Sequence, residues 1–229
     1  DGVGTDRVPL PQDDASVSHN TIVDMPRIGA SITFTGTPTV TLSNNISLYG
    51  SFIVASGTTW THSNKVIYYR GRSSFSVDTL GKDTRGAWFM GVGSTYTCLS
   101  NFNPSDTFNL TDGTFDLNDF NFTGLAIHSG GVDGSTRTRV LYLGGGTITL
   151  TYASATLAAW DIGSVGLTLY GESSTIIMSS SAVIGMRFYG ASLTYNNVTV
   201  QGTGNYALTI TGNNNYNVFK VNASDAAKT

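Results

Sequence analysis

A short phrase recurs along this chain: a run of apolar and aromatic residues closed by glycine. It occurs at residues 46–50, 66–71, 87–91, 120–124, 140–144, 167–171, 186–190 and 208–212. The last four closing glycines lie 27, 19 and 22 residues apart by subtraction of their numbers. A second strand-like run follows most of the phrases. Strands and turns that return every twenty-odd residues predict the coils of a parallel β-solenoid.

The composition supports an all-β fold. Charged residues make up 12% of the chain, Glu172 is the only glutamate, and there are 27 glycines. Strong helix formers are therefore scarce, whereas β-branched and aromatic residues are plentiful. We predict a single-stranded, right-handed parallel β-helix of roughly nine coils over residues 28–221. The alternative is a β-sandwich, which also has short strands, but the hairpin dipeptide Asn-Gly does not occur here.

The two ends of the chain differ from the segment between them. Residues 1–27 contain three prolines and several aspartates and lack apolar periodicity. We interpret them as an extended N-terminal arm or linker. Alternatively, this arm docks on a neighbouring subunit by adding a strand to its sheet. Residues 222–229 form a polar C-terminal tail.

Charge and cysteine content exclude several classes of function. The net charge of −3 and the pI near 5.4 argue against nucleic-acid binding, which requires a basic face. No run of 18 apolar residues is present, so we expect no membrane insertion. Cys98 is the only cysteine, so no internal disulfide forms, and we interpret it as a buried structural thiol. His19, His62 and His128 lack metal-ligand spacing, and we expect neither a metal nor a cofactor.

The C-terminal half is unusually poor in charge. Between residues 140 and 219 only Asp161, Glu172 and Arg187 are charged. Solvent-facing surfaces carry more charge than this. Either sister subunits cover much of this half, or its Ser, Thr and Asn residues provide enough solubility.

One stretch combines aromatic and basic residues: Trp60, Tyr68, Tyr69, Arg70 and Arg72. Sugar rings stack on aromatic faces, and the guanidinium fork binds acidic sugars. Strand alternation places Tyr68 and Arg70 on one face and Tyr69 on the other. Some of these tyrosines therefore belong to the core, and the remainder are candidates for glycan contact.

Two further groups are candidates for chemistry. Asp112, Asp116 and Asp119 provide the paired carboxylates that glycan-cleaving enzymes use as acid and base or nucleophile. The alternative is that they are solvated turn carboxylates. The second group surrounds a glycine-rich loop and consists of His128, Asp133, Arg137 and Arg139. A His–Asp pair with arginine could abstract a proton beside a uronate carboxylate, and the alternative is an ordinary polar loop.

The recurrent phrases, the low charge and the Gly, Asn, Ser and Thr turns resemble the parallel β-helix segments of bacteriophage tailspikes, tail fibres and related surface adhesins. The resemblance covers residues 28–221. It implies a stable homotrimeric rod, extracellular or on a virion surface, whose loops contact surface polysaccharide. Some members of the family also cleave the glycan, but no motif in this sequence matches an active site of the family.

Three hypotheses follow from the sequence. The first is a structural and receptor-binding solenoid, which is more consistent with the sequence than an enzyme. The second is a glycan depolymerase that uses Asp112, Asp116 and Asp119. The third is a subunit of an extracellular filament in which residues 1–27 join one protomer to the next.

Overall fold

A computed structural model describes residues 12–27, 29–130, 137–154, 156–163, 165–180, 185–202 and 207–223. These residues form 24 strands and no helix. In chain order the strands are β1 (Ala15–Val17), β2 (Thr21–Val23), β3 (Ile32–Phe34), β4 (Thr39–Leu42), β5 (Ile46–Leu48), β6 (Phe52–Val54), β7 (Thr59–Thr61), β8 (Val66–Tyr69), β9 (Ser74–Asp78), β10 (Gly86–Phe89), β11 (Thr95–Cys98), β12 (Thr107–Leu110), β13 (Gly113–Asp116), β14 (Phe122–Gly124), β15 (Ala126–Ser129), β16 (Arg139–Tyr142), β17 (Thr147–Leu150), β18 (Trp160–Ile162), β19 (Leu167–Tyr170), β20 (Thr175–Ser180), β21 (Met186–Tyr189), β22 (Thr194–Gly202), β23 (Leu208–Thr211) and β24 (Asn215–Ala223).

The strands stack into three faces. Sheet 1 has the order β1-β3-β6-β9-β11-β13-β16-β19, and sheet 2 has the order β5-β8-β10-β12-β15-β18-β21-β23. Sheet 3 has two parts, β2-β4-β7 and β14-β17-β20-β22-β24. A regular coil, such as β3, β4 and β5, contributes one strand to sheets 1, 3 and 2 in turn.

The described residues thus form a parallel β-solenoid of about nine turns, as the sequence predicted. Every strand pairing found among them is parallel, for example Tyr96 opposite Phe115 and Leu141 opposite Leu169. A β-sandwich is built from antiparallel pairs, so that alternative is excluded.

The core lies inside the coil and is continuous along it. Alternate residues of each strand point inward, so one apolar side chain stacks on its counterpart in the next coil. Tyr69 and Phe89 are stacked with ring centroids 4.3 Å apart and planes within 3°. Trp160 and Phe188 repeat this arrangement 5.8 Å apart in later coils. Burying each such side chain contributes roughly 1.5–3 kcal/mol, so every coil stabilises its neighbours.

Asparagines at the turns bind successive coils together. The side-chain oxygen of Asn101 accepts a hydrogen bond from the backbone N–H of Asn121, one coil further on. The side-chain oxygen of Asn121 in turn accepts one from Thr147 N–H, at 2.8 Å. Asn20 and Asn45 make the same bond, to Thr39 and Val66. These bonds satisfy turn amides that the sheets leave unpaired, which explains the abundance of asparagine.

The N-terminal segment contributes to the solenoid. Strands β1 and β2 lie within residues 1–27, for which the sequence predicted an extended arm. Both pair in parallel with strands of the same chain, β1 with β3 and β2 with β4. Residues 15–23 therefore belong to the first coil. Residues 1–11 lie outside the described part of the chain.

The glycine-closed phrases do not all occupy the same place in the coil. Those ending at Gly50, Gly71 and Gly190 follow strands of sheet 2, whereas those ending at Gly144 and Gly171 follow strands of sheet 1. On all three faces, inward and outward residues alternate along each strand, and each strand ends at a turn. The phrase therefore marks any junction between a strand and a turn, rather than one repeated corner.

One corner of the coil requires glycine for steric reasons. A Cβ atom at Gly91 would lie 2.0 Å from the carbonyl oxygen of Gly71, one coil earlier. A Cβ atom at Gly113 would lie 2.7 Å from the carbonyl oxygen of Gly91. The backbones of three successive coils thus approach too closely for any side chain at this corner.

Candidate functional site

Two aromatic side chains stand side by side on the outer face of sheet 2. Parallel pairing places Trp88 of β10 directly opposite Tyr68 of β8. Their ring centroids lie 6.1 Å apart at an interplanar angle of 59°. The inward neighbours Tyr69 and Phe89 are buried, so alternation directs Tyr68 and Trp88 outward. We refer to Tyr68 and Trp88 as the aromatic pair.

A groove adjoins the aromatic pair where the sheet 2 strands end. Its cavity volume is about 490 Å³, and it is lined by Tyr49, Arg70, Gly71, Arg72, Met90 and Val92. The guanidinium carbon of Arg70 lies 5.3 Å from the ring centroid of Tyr68, over the ring face. This cation–π contact joins the groove to the aromatic pair. We call this cavity the sheet 2 groove.

The backbone that lines the sheet 2 groove is hydrogen-bonded to a side chain of the core. Gly71 separates the two arginines, and its backbone N–H donates a hydrogen bond to the Tyr96 hydroxyl at 2.9 Å. Tyr96 is fully buried, and burial raises the pKa of its hydroxyl to about 12. A Cβ atom at Gly71 would lie 2.1 Å from the ring of Phe75. The backbone that positions Arg70 and Arg72 is therefore tightly packed.

The sheet 2 groove is electropositive. Arg70 and Arg72 are both exposed, and none of the six lining residues is acidic. The ion pairs within the described residues join His62 to Asp83, Arg85 to Asp106 and Arg137 to Asp112. Neither groove arginine takes part in any of these pairs, so both guanidinium charges are exposed to solvent.

Two of the five residues grouped by sequence belong to the core instead of the surface. Tyr69 is fully buried and stacks on Phe89, so it is not accessible to a ligand from solvent. Trp60 points inward from β7, with its ring 5.6 Å from Phe34 and 5.5 Å from Phe52. The structure brings Tyr68, Arg70 and Arg72 together and leaves Trp60 and Tyr69 as packing residues.

Sequence reasoning missed Trp88 of the aromatic pair and four residues that line the groove: Tyr49, Gly71, Met90 and Val92. Trp88 lies in the recurrent phrase 87–91, whose pattern predicts a strand but no binding site. Its alternation, with Ala87 and Phe89 inward and Trp88 outward, was the available signal. Proximity to Tyr68 depends on the length of the intervening coil, which alternation does not reveal.

The three aspartates proposed for carbohydrate chemistry each have a structural partner. The Asp119 carboxylate accepts a hydrogen bond from Gly145 N–H at 2.6 Å, across a coil. The Asp116 carboxylate accepts one from Asn118 N–H at 2.8 Å, within its own turn. Asp112 is buried at the start of β13, where its carboxylate lies 3.7 Å from the Arg137 guanidinium. Asp116 and Asp119 therefore hold turns, and Asp112 is paired with a basic side chain.

The second proposed group is divided between the outside and the inside of the coil. His128 lies on the outward side of β15, and its Nε2 lies 3.0 Å from the Ala158 carbonyl oxygen, within hydrogen-bond distance. Arg139 points inward, is 2% exposed, and donates to the Ser129 hydroxyl and to the Gly163 and Val165 carbonyls. Burial lowers the pKa of Arg139, and nearby Asp112 opposes that shift. Asp133 lies outside the described residues.

Cys98 is fully buried, as the sequence predicted, and burial raises the pKa of its thiol. In the part of the chain that the structure describes, no three His, Cys, Asp or Glu side chains are grouped to hold a metal ion. The same residues include no helix of the length and apolarity needed to cross a membrane.

The fold and the outer face of sheet 2 define a parallel β-solenoid with an aromatic and basic groove. No protein-family model matches the chain, and comparisons with curated proteins and with solved structures find no match.

Proposed function

We propose that this protein is a structural, glycan-binding or receptor-binding solenoid of a surface appendage such as a phage tail spike or tail fibre. The sheet 2 groove and the aromatic pair would contact a surface polysaccharide. The protein would then act outside a cell or on a virion surface.

One observation carries the proposal: Tyr68, Trp88 and Arg70 stand together on the outer face of sheet 2. Sugar rings present C–H faces that pack on aromatic rings, and their hydroxyls bind charged side chains. The two rings belong to successive coils, which are about 4.8 Å apart. A linear glycan lying along the solenoid would contact both.

Self-association is part of the proposal, and the outer face of sheet 3 is the supporting feature. In the C-terminal half, register aligns Thr123, Thr149, Ile177, Thr199 and Lys220 in one outward column. Lys220 is the only charged residue among them. Small and β-branched side chains on a face with one charge suit packing against sister subunits, as a homotrimer or a filament.

We do not extend the proposal to a glycan depolymerase. Asp116 and Asp119 each bind a turn amide, and Asp112 faces Arg137. Incubation with bacterial polysaccharides tests that alternative. New reducing ends or unsaturated uronates, lost in Asp116→Asn, would establish it.

Binding to a panel of bacterial surface polysaccharides tests the proposed function. We expect at least one to bind, and we expect Trp88→Ala and Tyr68→Ala each to weaken that binding about tenfold through lost ring contact. Tyr142→Ala is the matched control, because Tyr142 is an outward aromatic on sheet 1 that stacks on Tyr170. Absence of binding across the panel, or equal loss in Tyr142→Ala, would contradict the proposal.

A further inference from the structure

We propose that the sheet 2 groove selects a sugar residue that carries a carboxylate, such as a uronic acid. This inference rests on the proposed glycan-binding function and names the class of sugar that the groove takes. It arises from the charge of the groove and from how its two arginines are held.

The charge of the groove is uncompensated. Arg70 and Arg72 line it, none of its lining residues is acidic, and neither arginine belongs to an ion pair within the described residues. The chain as a whole carries a net charge of −3, so this positive surface is local. A neutral sugar would leave both guanidinium groups without a charged partner, whereas a sugar acid supplies one.

The Arg70 guanidinium is held in a position that favours a planar anion. The Arg70 guanidinium lies over the face of Tyr68, which leaves the N–H groups on its edge free to donate. Gly71 fixes the backbone between Arg70 and Arg72 through its bond to Tyr96. A guanidinium edge matches the two oxygens of a carboxylate in a bidentate arrangement, which is directional and charge-assisted. Little ordering of the Arg70 side chain is therefore required on binding.

The surroundings of the arginines indicate a sugar rather than a small anion. The cavity volume of about 490 Å³ far exceeds that of one ion. Tyr68 joins the groove through Arg70, and Trp88 extends the aromatic surface along the next coil. A pyranose ring on this surface would place a carboxylate substituent near the guanidinium groups.

The experiment compares two ligands that differ at one group, which is a carboxylate in one and an uncharged amide in the other. The ¹⁵N-labelled full chain is titrated with sodium glucuronate and with glucuronamide, its uncharged amide. The resonances of the Arg70 and Arg72 Nε–H groups and of the Trp88 indole N–H report on the groove. We expect glucuronate to shift all three and to bind about tenfold more tightly than glucuronamide, because a charged hydrogen-bond pair is lost in the amide.

Sodium acetate and inorganic phosphate separate sugar recognition from anion binding. We expect both to bind at least tenfold more weakly than glucuronate and to leave the Trp88 resonance unchanged. Acetate or phosphate binding as tightly as glucuronate would overturn the inference, because the groove would then be a simple anion site.

The variant Arg70→Gln/Arg72→Gln provides the second arm, with Lys82→Gln as a control for lost charge, because Lys82 does not line the groove. We expect the double variant to bind glucuronate and glucuronamide equally weakly and Lys82→Gln to behave as the parent. Equal affinity of the parent for glucuronate and glucuronamide would overturn the acidic-sugar inference but retain glycan binding. Absence of shifts at Trp88 and at both arginines with either sugar would overturn the acidic-sugar inference, whereas only absence of binding across the polysaccharide panel would overturn the proposed function.

Discussion

The indole ring of Trp88 lies beside the phenol ring of Tyr68, 6.1 Å away between centroids, one complete coil further along the chain. Because the strands are parallel, each outward residue is placed beside its counterpart in the next coil. Each column of outward residues on this fold therefore takes one residue from each coil. The pairing register between coils decides which residue that is.

Two buried tyrosines are expected to respond in opposite directions to loss of the hydroxyl. The Tyr69 hydroxyl is buried without a hydrogen-bond partner, whereas the Tyr96 hydroxyl accepts from Gly71 N–H. Tyr69→Phe should raise the free energy of unfolding by about 1 kcal/mol, and Tyr96→Phe should lower it by about 1–2 kcal/mol. Urea denaturation measures both, and a destabilised Tyr69→Phe would show that its hydroxyl is satisfied.

Gly91→Ala should destabilise the fold because the new Cβ atom would lie 2.0 Å from the Gly71 carbonyl oxygen. We expect a loss of about 1–3 kcal/mol in the free energy of unfolding, as for other overpacked sites. Gly171→Ala is the matched control, since the nearest atom to its Cβ would be the Thr194 carbonyl oxygen at 3.5 Å. Thermal unfolding of both variants tests this, and equal midpoints would contradict the close approach of the coils.

Asp119 is expected to act through hydrogen bonding and backbone conformation. It adopts a φ of 65° and accepts from Gly145 N–H. Asp119→Asn keeps an acceptor and tolerates that φ, so its stability should match the parent. Asp119→Ala should lose about 1–2 kcal/mol. Urea denaturation distinguishes them, and an equal loss in both variants would show that the negative charge itself is required.

Stability should fall in alkaline solution. Burial raises the pKa values of Tyr69, Tyr96 and Tyr195 and of the Cys98 thiol. Below their unfolded pKa values, about 9 for cysteine and 10 for tyrosine, both states keep these protons and the full stability is present. Above them the unfolded chain loses protons that the folded chain retains, so each group costs about 1.4 kcal/mol per pH unit.

Urea denaturation at pH 8, 10 and 11, with tyrosinate absorbance followed in parallel, measures this dependence. Tyr96→Phe should reduce the slope of the free energy of unfolding against pH by the contribution of one tyrosine, since the pKa of Tyr96 in the folded chain is about 12. Stability that does not change up to pH 11 would contradict the burial of these groups.

Part of the candidate site could be predicted from the sequence. Alternation placed Tyr68 and Arg70 on one face, and the structure confirms that they stand together beside Arg72. Trp60 was grouped with them by proximity in the chain, but it lies on sheet 3 and points toward Phe34 and Phe52. Alternation separates two faces of a strand without revealing which face is inside.

The sequence by itself predicted the architecture. Alternating apolar residues, glycine and asparagine turns and a twenty-residue return are local properties, and together they favour stacked parallel coils. The parallel strand pairs of the tertiary structure excluded the β-sandwich. The tertiary structure alone decided which residues meet. Coil length varies, from 17 residues between Ala15 and Ile32 to 33 between Ile127 and Trp160 by subtraction. The register between coils, and with it the place of Trp88 beside Tyr68, is therefore set by hydrogen bonding and core packing across coils.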